Sequence, residues 1–267
     1  MQLPGDRFSF SVKPERIEKK RKKRRLVFVL GALVAAATLG FFIISGRVGI
    51  PFTADDAGQP AETEEKSLEE LWQQRTYATL NERCEQELEE NPLSAECLLY
   101  NGFSYFYRGA NQYTPEDQLP LFDKAVLNLR KLLVLDSPPE EGKIHYVLGK
   151  TYYHKGRFYL DLAVHHLERS VELGYVAEDT YRYLGLVFGE LSDYEKSIEY
   201  FLEAAERSPD AILYMTIGQT YYKMGQSENA LEFLTRSVQA TDKLAIEQRA
   251  RFILGKIHLD KGQLEKA

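Results

Sequence analysis

Chemistry in this chain would have to come from five histidines, two cysteines and forty carboxylates. His165 and His166 are adjacent, so on a helix their side chains diverge by about 100° and are badly placed to share a metal. His145, His154 and His258 fall where neighbouring segments carry Tyr, Lys or Asp, which reads as packing or surface rather than ligation. The carboxylates are scattered between apolar residues and describe a solvated helix face, not an acid–base pair. There is no phosphate-binding Gly-Lys loop, no dinucleotide glycine fingerprint and no Gly-x-Ser-x-Gly elbow. We therefore expect no catalytic residue, no metal and no cofactor, and we do not read the chain as an enzyme. Cys84 and Cys97 are the only thiols. They fall in successive helices on either side of Pro92. Two readings stay open there: a disulfide, if the domain faces an oxidising compartment, or two buried free thiols.

The elements around these residues are sharply partitioned by charge. Residues 1–25 hold ten Lys/Arg against three Asp/Glu, a net of +7, and the remainder holds 24 against 37, a net of −13. A body of that sign repels phosphate backbones, so no nucleic-acid partner is expected. The stretch EKKRKKRRLVFVLGALVAAATLGFFIISGR, residues 18–47, joins the basic block to an uncharged apolar run. From Leu26 to Ser45 the run is long enough, at about 1.5 Å per residue, for the roughly 30 Å core of a bilayer. It lacks the polar stripe of a soluble helix, and a cleaved leader would have a shorter apolar region. The expectation is a single transmembrane anchor over 26–46, preceded by a basic cytoplasmic tail over 1–25. Flanking cations stay on the inner side. The chain is thus expected in the cytoplasmic (inner) membrane, with its folded part in the periplasm.

Residues 47–66, RVGIPFTADDAGQPAETEEK, are rich in Pro, Gly, Ala and acids and suit a flexible acidic linker. From residue 67 onward apolar residues recur at three and four, which predicts helices throughout. A local pattern also recurs. Gly149, Gly185, Gly218 and Gly255 each follow an apolar residue and precede a large residue by three, and Gly102, behind Asn101, precedes Tyr105 in the same way; the successive spacings are 47, 36, 33 and 37. Gly156, Gly225 and Gly262 each lie seven residues further on, where a turn between helices would need positive φ. Periods in the thirties mean a stacked array of helical hairpins.

The best-formed segment runs from Tyr181 through Leu184-Gly185, Phe188, Ser197, Phe201 and Ala204 to Pro209. A second runs through Tyr214, Ile217-Gly218, Tyr221, Ala230, Leu234 and Ser237, and an earlier one through His145, Leu148-Gly149, Tyr152, Ala163, Leu167 and Ser170. This resembles the tetratricopeptide repeat, with large-x2-Leu-Gly-x2-Tyr, then Ala-x3-Phe, then Pro. The resemblance covers about 200 of the 267 residues and implies an all-α, right-handed α-solenoid over 67–267, with about five repeats and a partial sixth. The glycine lets two helices approach, and the small residue of the second helix is expected opposite it. The first repeat lacks the glycine, as a terminal cap often does. The second carries about eleven extra residues near 108–120, expected to project from one end of its hairpin.

In the resembling family, first helices of successive hairpins line a groove that takes a peptide or helix of a partner. The resemblance maps that groove onto Tyr100, Phe103, Tyr107, Tyr146, Lys150, Tyr153, Arg182, Leu186, Met215, Gln219 and Tyr222. Lys150 stands where the chaperone-binding members clamp a terminal carboxylate, but the accompanying Asn residues are absent. The functional expectation is a membrane-anchored scaffold or adaptor that binds a protein or peptide in the cell envelope and serves secretion, outer-membrane assembly or envelope maintenance. Two others are an organelle receptor with a cytosolic solenoid, and the anchoring part of a longer protein whose active domain lies beyond Ala267.

Overall fold

The computed structural model describes residues 66–263. The expected tail, membrane anchor and linker, up to residue 65, lie outside the described residues. Among the described residues there is no strand, and no helix is long and apolar enough to cross a membrane. Eleven α-helices follow in order: α1 Leu68–Gln73, α2 Tyr77–Glu90, α3 Ala95–Ala110, α4 Pro115–Leu132, α5 Glu141–Lys155, α6 Leu160–Glu172, α7 Thr180–Glu190, α8 Tyr194–Arg207, α9 Ala211–Lys223, α10 Ser227–Gln239 and α11 Leu244–Asp260. Each odd-numbered helix up to α9 pairs with the next as a hairpin, and each hairpin packs on its successor. This is the stacked array that the glycine period predicts.

Local signals set the helix ends. Ser67 starts α1 with a reciprocal box: its Oγ accepts from Glu70 N at 3.1 Å while the Glu70 carboxylate accepts from Ser67 N at 2.7 Å. Thr114, Asp193 and Asp210 accept from the backbone N–H three residues on and start α4, α8 and α9. Gly156 and Gly225 close α5 and α9 at φ of 99° and 75°, where a side chain would be strained. The extra residues near 108–120 are carried mostly as helix: α3 reaches 16 residues and α4 18, against 13 for each of α9 and α10. Pro115 fits the first turn of α4, where no N–H is needed.

The packing inside each hairpin differs from the expected one in a specific way. Opposite the repeat glycine stands the large residue of the second helix, not the small one. A β-carbon on Gly149 would lie 2.6 Å from Leu167 Cγ, and one on Gly218 would lie 2.7 Å from Leu234 Cγ. Gly102 faces Leu129 and Gly185 faces Phe201 in the same manner. The glycine is thus a hole and the Leu or Phe its knob. The small residues Ala125, Ala163, Ser197 and Ala230 are wholly buried one turn before these knobs. There Ser197 Oγ donates to the Gly185 carbonyl at 2.7 Å. The knobs belong to a core that runs without a break from α3 to α7 and continues in further clusters from α8 to α11.

Candidate functional site

The two helices of each hairpin differ in character. The second helices (α2, α4, α6, α8, α10) carry seventeen Asp/Glu against eight Lys/Arg, whereas the first helices (odd-numbered) carry seven against nine. Eleven of the seventeen tyrosines lie on α3, α5, α7 and α9. Negative charge is therefore concentrated on one layer and phenolic rings on the other. A layer of rings with polar edges and little net charge is suited to holding a polypeptide segment.

The structure divides the eleven groove residues. Phe103, Tyr146 and Met215 are buried. Tyr100, Lys150, Tyr153, Arg182, Leu186, Gln219 and Tyr222 are partly covered, and Tyr107 is the most open at 39 % exposure. Most of the polar tips are engaged across the hairpin stack. Tyr100 donates to Glu69, Tyr146 to Asp179, Arg182 to Asp210, and Tyr222 to Asp260 at 2.9 Å. Each bond joins a first helix to the next first helix or to its N-terminal end. The layer is laced together by its own side chains.

Lys150 is the clearest case. Its Nζ donates to Asp179 Oδ2 at 2.8 Å and to the Tyr146 hydroxyl at 2.9 Å. It also lies 4.6 Å from the Tyr183 ring centroid and 5.6 Å from that of Phe106. Only 12 % of its side chain is exposed. The lysine that stands at the family's carboxylate-clamp position, without its accompanying Asn residues, is occupied within the protein. Burial, with Asp179 and Tyr153 nearby, pushes the Tyr183 hydroxyl up to about 12, and burial does the same to Tyr153. Both stay neutral hydrogen-bonding groups at any physiological pH.

Sequence reasoning passed over Trp72 and Tyr77. Trp72 of α1 meets Tyr77, Tyr100, Phe103 and Tyr107 at centroid distances of 5.4 to 6.1 Å. Tyr77 and Tyr107 stack at 5.7 Å and 15°. Trp72, Tyr77 and Tyr107 line a depression of about 500 Å³, rimmed by Glu69, Gln73, Arg75 and Asn111. Arg75 sits at φ 55°, a left-handed conformation that turns the chain between α1 and α2. Neither the Tyr77 nor the Tyr107 hydroxyl is hydrogen-bonded among the described residues. The one available signal was the only tryptophan of the chain, in a repeat too irregular to place it.

No group of three His, Cys, Asp or Glu is positioned to hold a metal among the described residues. His165 stays outside, but His166 meets His145, with Nδ1 atoms 3.0 Å apart. Tyr152 stacks on the His166 ring at 5.4 Å. The His pair belongs to the interior of the third hairpin. Cys84 and Cys97 are free thiols, both buried.

Two family models described as tetratricopeptide repeat match residues 160–212 and 211–243. Residues 160–243 are tetratricopeptide repeats. No curated protein matches it. Among solved structures, this tetratricopeptide repeat chain is similar to YrrB, described as a TPR protein with an unusual peptide-binding site. The two are 19 % identical over 69 % of this chain and 88 % of that one, with a TM-score of 0.57. It is also similar to MamA, at 21 % identity over 66 % and 95 % with a TM-score of 0.54. A third is PilW, described as a widely conserved type IV pilus biogenesis factor, at 16 % identity over 75 % and 85 % with a TM-score of 0.54. At these identities the likeness is one of fold.

Proposed function

We propose that the first-helix layer binds a segment of a protein partner, and that an anchor over 26–46 holds this layer on the outer side of a cytoplasmic membrane. The observation that carries the reading is the division between an acidic second-helix layer and a tyrosine-rich first-helix layer of nearly balanced charge. The Trp72 depression, at about 500 Å³, has the size of a small ligand pocket and takes one or two side chains. Recognition rests on rings and hydroxyls at Trp72, Tyr77, Tyr107 and Tyr153, since Lys150 is already committed to Asp179. The unusual peptide-binding site ascribed to YrrB and the part in type IV pilus biogenesis ascribed to PilW are consistent with a binding scaffold of this fold. The basic block at 18–25 and the apolar run behind it support the placement at a membrane.

The test uses the full chain in cells, with a photo-crosslinking residue at Tyr107 or Tyr153 of the first-helix layer and at Glu199 or Glu232 of the second. A shared adduct from the first pair, lost with Trp72→Ala at unchanged helicity, is expected. Adducts from the second pair alone would overturn the groove. Release from membranes by salt, or a carboxyl-terminal reporter active only in the cytoplasm, would overturn the envelope placement and leave the groove standing.

A further inference from the structure

We infer that Cys84 and Cys97 close an intramolecular disulfide when the chain meets a disulfide oxidant, stapling the first hairpin to the second. The register of α2 against α3 carries this. The two helices run antiparallel around residues 91–94, and side-chain bonds fix their alignment on both sides of the thiols. On one side Ser94 Oγ donates to Glu87 Oε1 at 2.7 Å. On the other, Asn81 Nδ2 donates to Asn101 Oδ1 at 2.8 Å and also to Ser104. Cys84 lies midway between Asn81 and Glu87, and Cys97 lies between Ser94 and Asn101. The two cysteines are therefore opposite one another. Both are wholly buried in one small cluster with Leu71 and Leu80. Facing positions on packed antiparallel helices are where a bridge needs little backbone movement.

The step conserves atoms and electrons. The S–H bonds of Cys84 and Cys97 break, one S–S bond forms, and two protons and two electrons pass to an external disulfide of the glutathione class, which leaves as two thiols. The attacking species is a thiolate, and burial opposes its formation in the closed structure. The bridge thus forms while the first hairpin docks or opens, and burial then shields it from reductants. Its consequence falls on the depression, because the bridge ties α1 and α2, which carry Trp72 and Tyr77, to α3, which carries Tyr107. The inference does not rest on the proposed function, since it concerns bond formation alone.

The experiment takes the full-length chain in detergent, reduces and unfolds it, and refolds it in mixed oxidised and reduced glutathione. Free thiols are then trapped with iodoacetamide and the intact mass is read. The expected product is a monomer lacking two hydrogens, with no alkyl group and a fragment joining the Cys84 and Cys97 peptides. Its thermal midpoint should lie about 5–10 °C above that of the reduced chain. A Cys84→Ala/Cys97→Ala chain should show no response to the oxidant. Two alkylated thiols on a refolded monomer, or only glutathione adducts and intermolecular dimers, would overturn the inference. The mass readout needs no variant. If refolding fails, as judged by helicity, the same trap applied to the native chain after oxidant in mild denaturant gives the same decision.

Discussion

Lys150 on α5 and Asp179 at the start of α7 are 29 positions apart and joined by a 2.8 Å ion pair. The pair spans two successive hairpins and is flanked by the Tyr146, Tyr183 and Phe106 rings. A side chain that reads as a groove ligand in one dimension is a rivet in three.

Lys150→Met should therefore act on stability. Asp179 is 37 % exposed and partly screened, so the pair itself contributes about 1 kcal/mol. A double-mutant cycle of Lys150→Met with Asp179→Asn, read by urea unfolding, should return a coupling of about that size. Additive losses would mean that the two charges do not support one another.

Gly149 should be intolerant of a β-carbon, although alanine favours helix by about 1 kcal/mol. The contact with Leu167 at 2.6 Å forces the knob aside, at about 1–3 kcal/mol. Gly149→Ala is thus expected to lower the unfolding midpoint. Adding Leu167→Ala should then cost less than it does in the parent chain, because the hole is already filled. Equal costs in both backgrounds would refute the knob-and-hole pairing.

The His145–His166 pair should make stability fall on mild acidification. Burial holds the His166 ring down to about 3, with His145 and His165 adding repulsion, and burial lowers His145 as well. Above about pH 6.5 both rings are neutral, folded or unfolded. Below it the unfolded chain takes up protons that the folded pair refuses, so stability drops as pH falls from about 6.5 toward 3. The loss at pH 5 is about 2 kcal/mol. Replacing His166 by Gln should flatten the curve of thermal midpoint against pH in this window; an unchanged curve would place the titration elsewhere.

Asn81 should control the first hairpin locally. It donates to Asn101 and Ser104 and accepts from Arg108 at 2.6 Å, almost wholly buried. Asn81→Leu leaves those partners unmet, a loss of about 1–3 kcal/mol. Because this hairpin packs on one neighbouring hairpin among the described residues, the loss should appear in Trp72 fluorescence at lower denaturant than in total helicity. Coincident transitions in the variant would mean that the stack unfolds as one unit.

Much of the architecture was readable because its rules are local. Gly149 and Gly218 recur since each hairpin needs its own hole, and Gly156 and Gly225 recur since each turn needs positive φ. The hairpin period and the ends of α5 and α9 follow from those positions. What escaped was the partner of each hole, Leu167 or Leu234, because a spacing of residues does not tell which side of a helix meets its neighbour. The extra residues near 108–120 escaped for a related reason: lengthened helices and an open loop have the same count.

The candidate site was less legible. Tyr107 and Tyr153 were expected in the groove from their place on first helices, but Trp72 and Tyr77 sit in a repeat without the glycine that would have registered them. The sequence by itself determined helices, turns and their order, because capping, glycine conformation and apolar periodicity act over a few residues. Tertiary structure alone decided which polar groups remain free, for the partners of Lys150, Arg182 and Tyr222 come from 28 to 38 positions away. A side chain's type states what it can bond, and only the stacking of hairpins states what it meets.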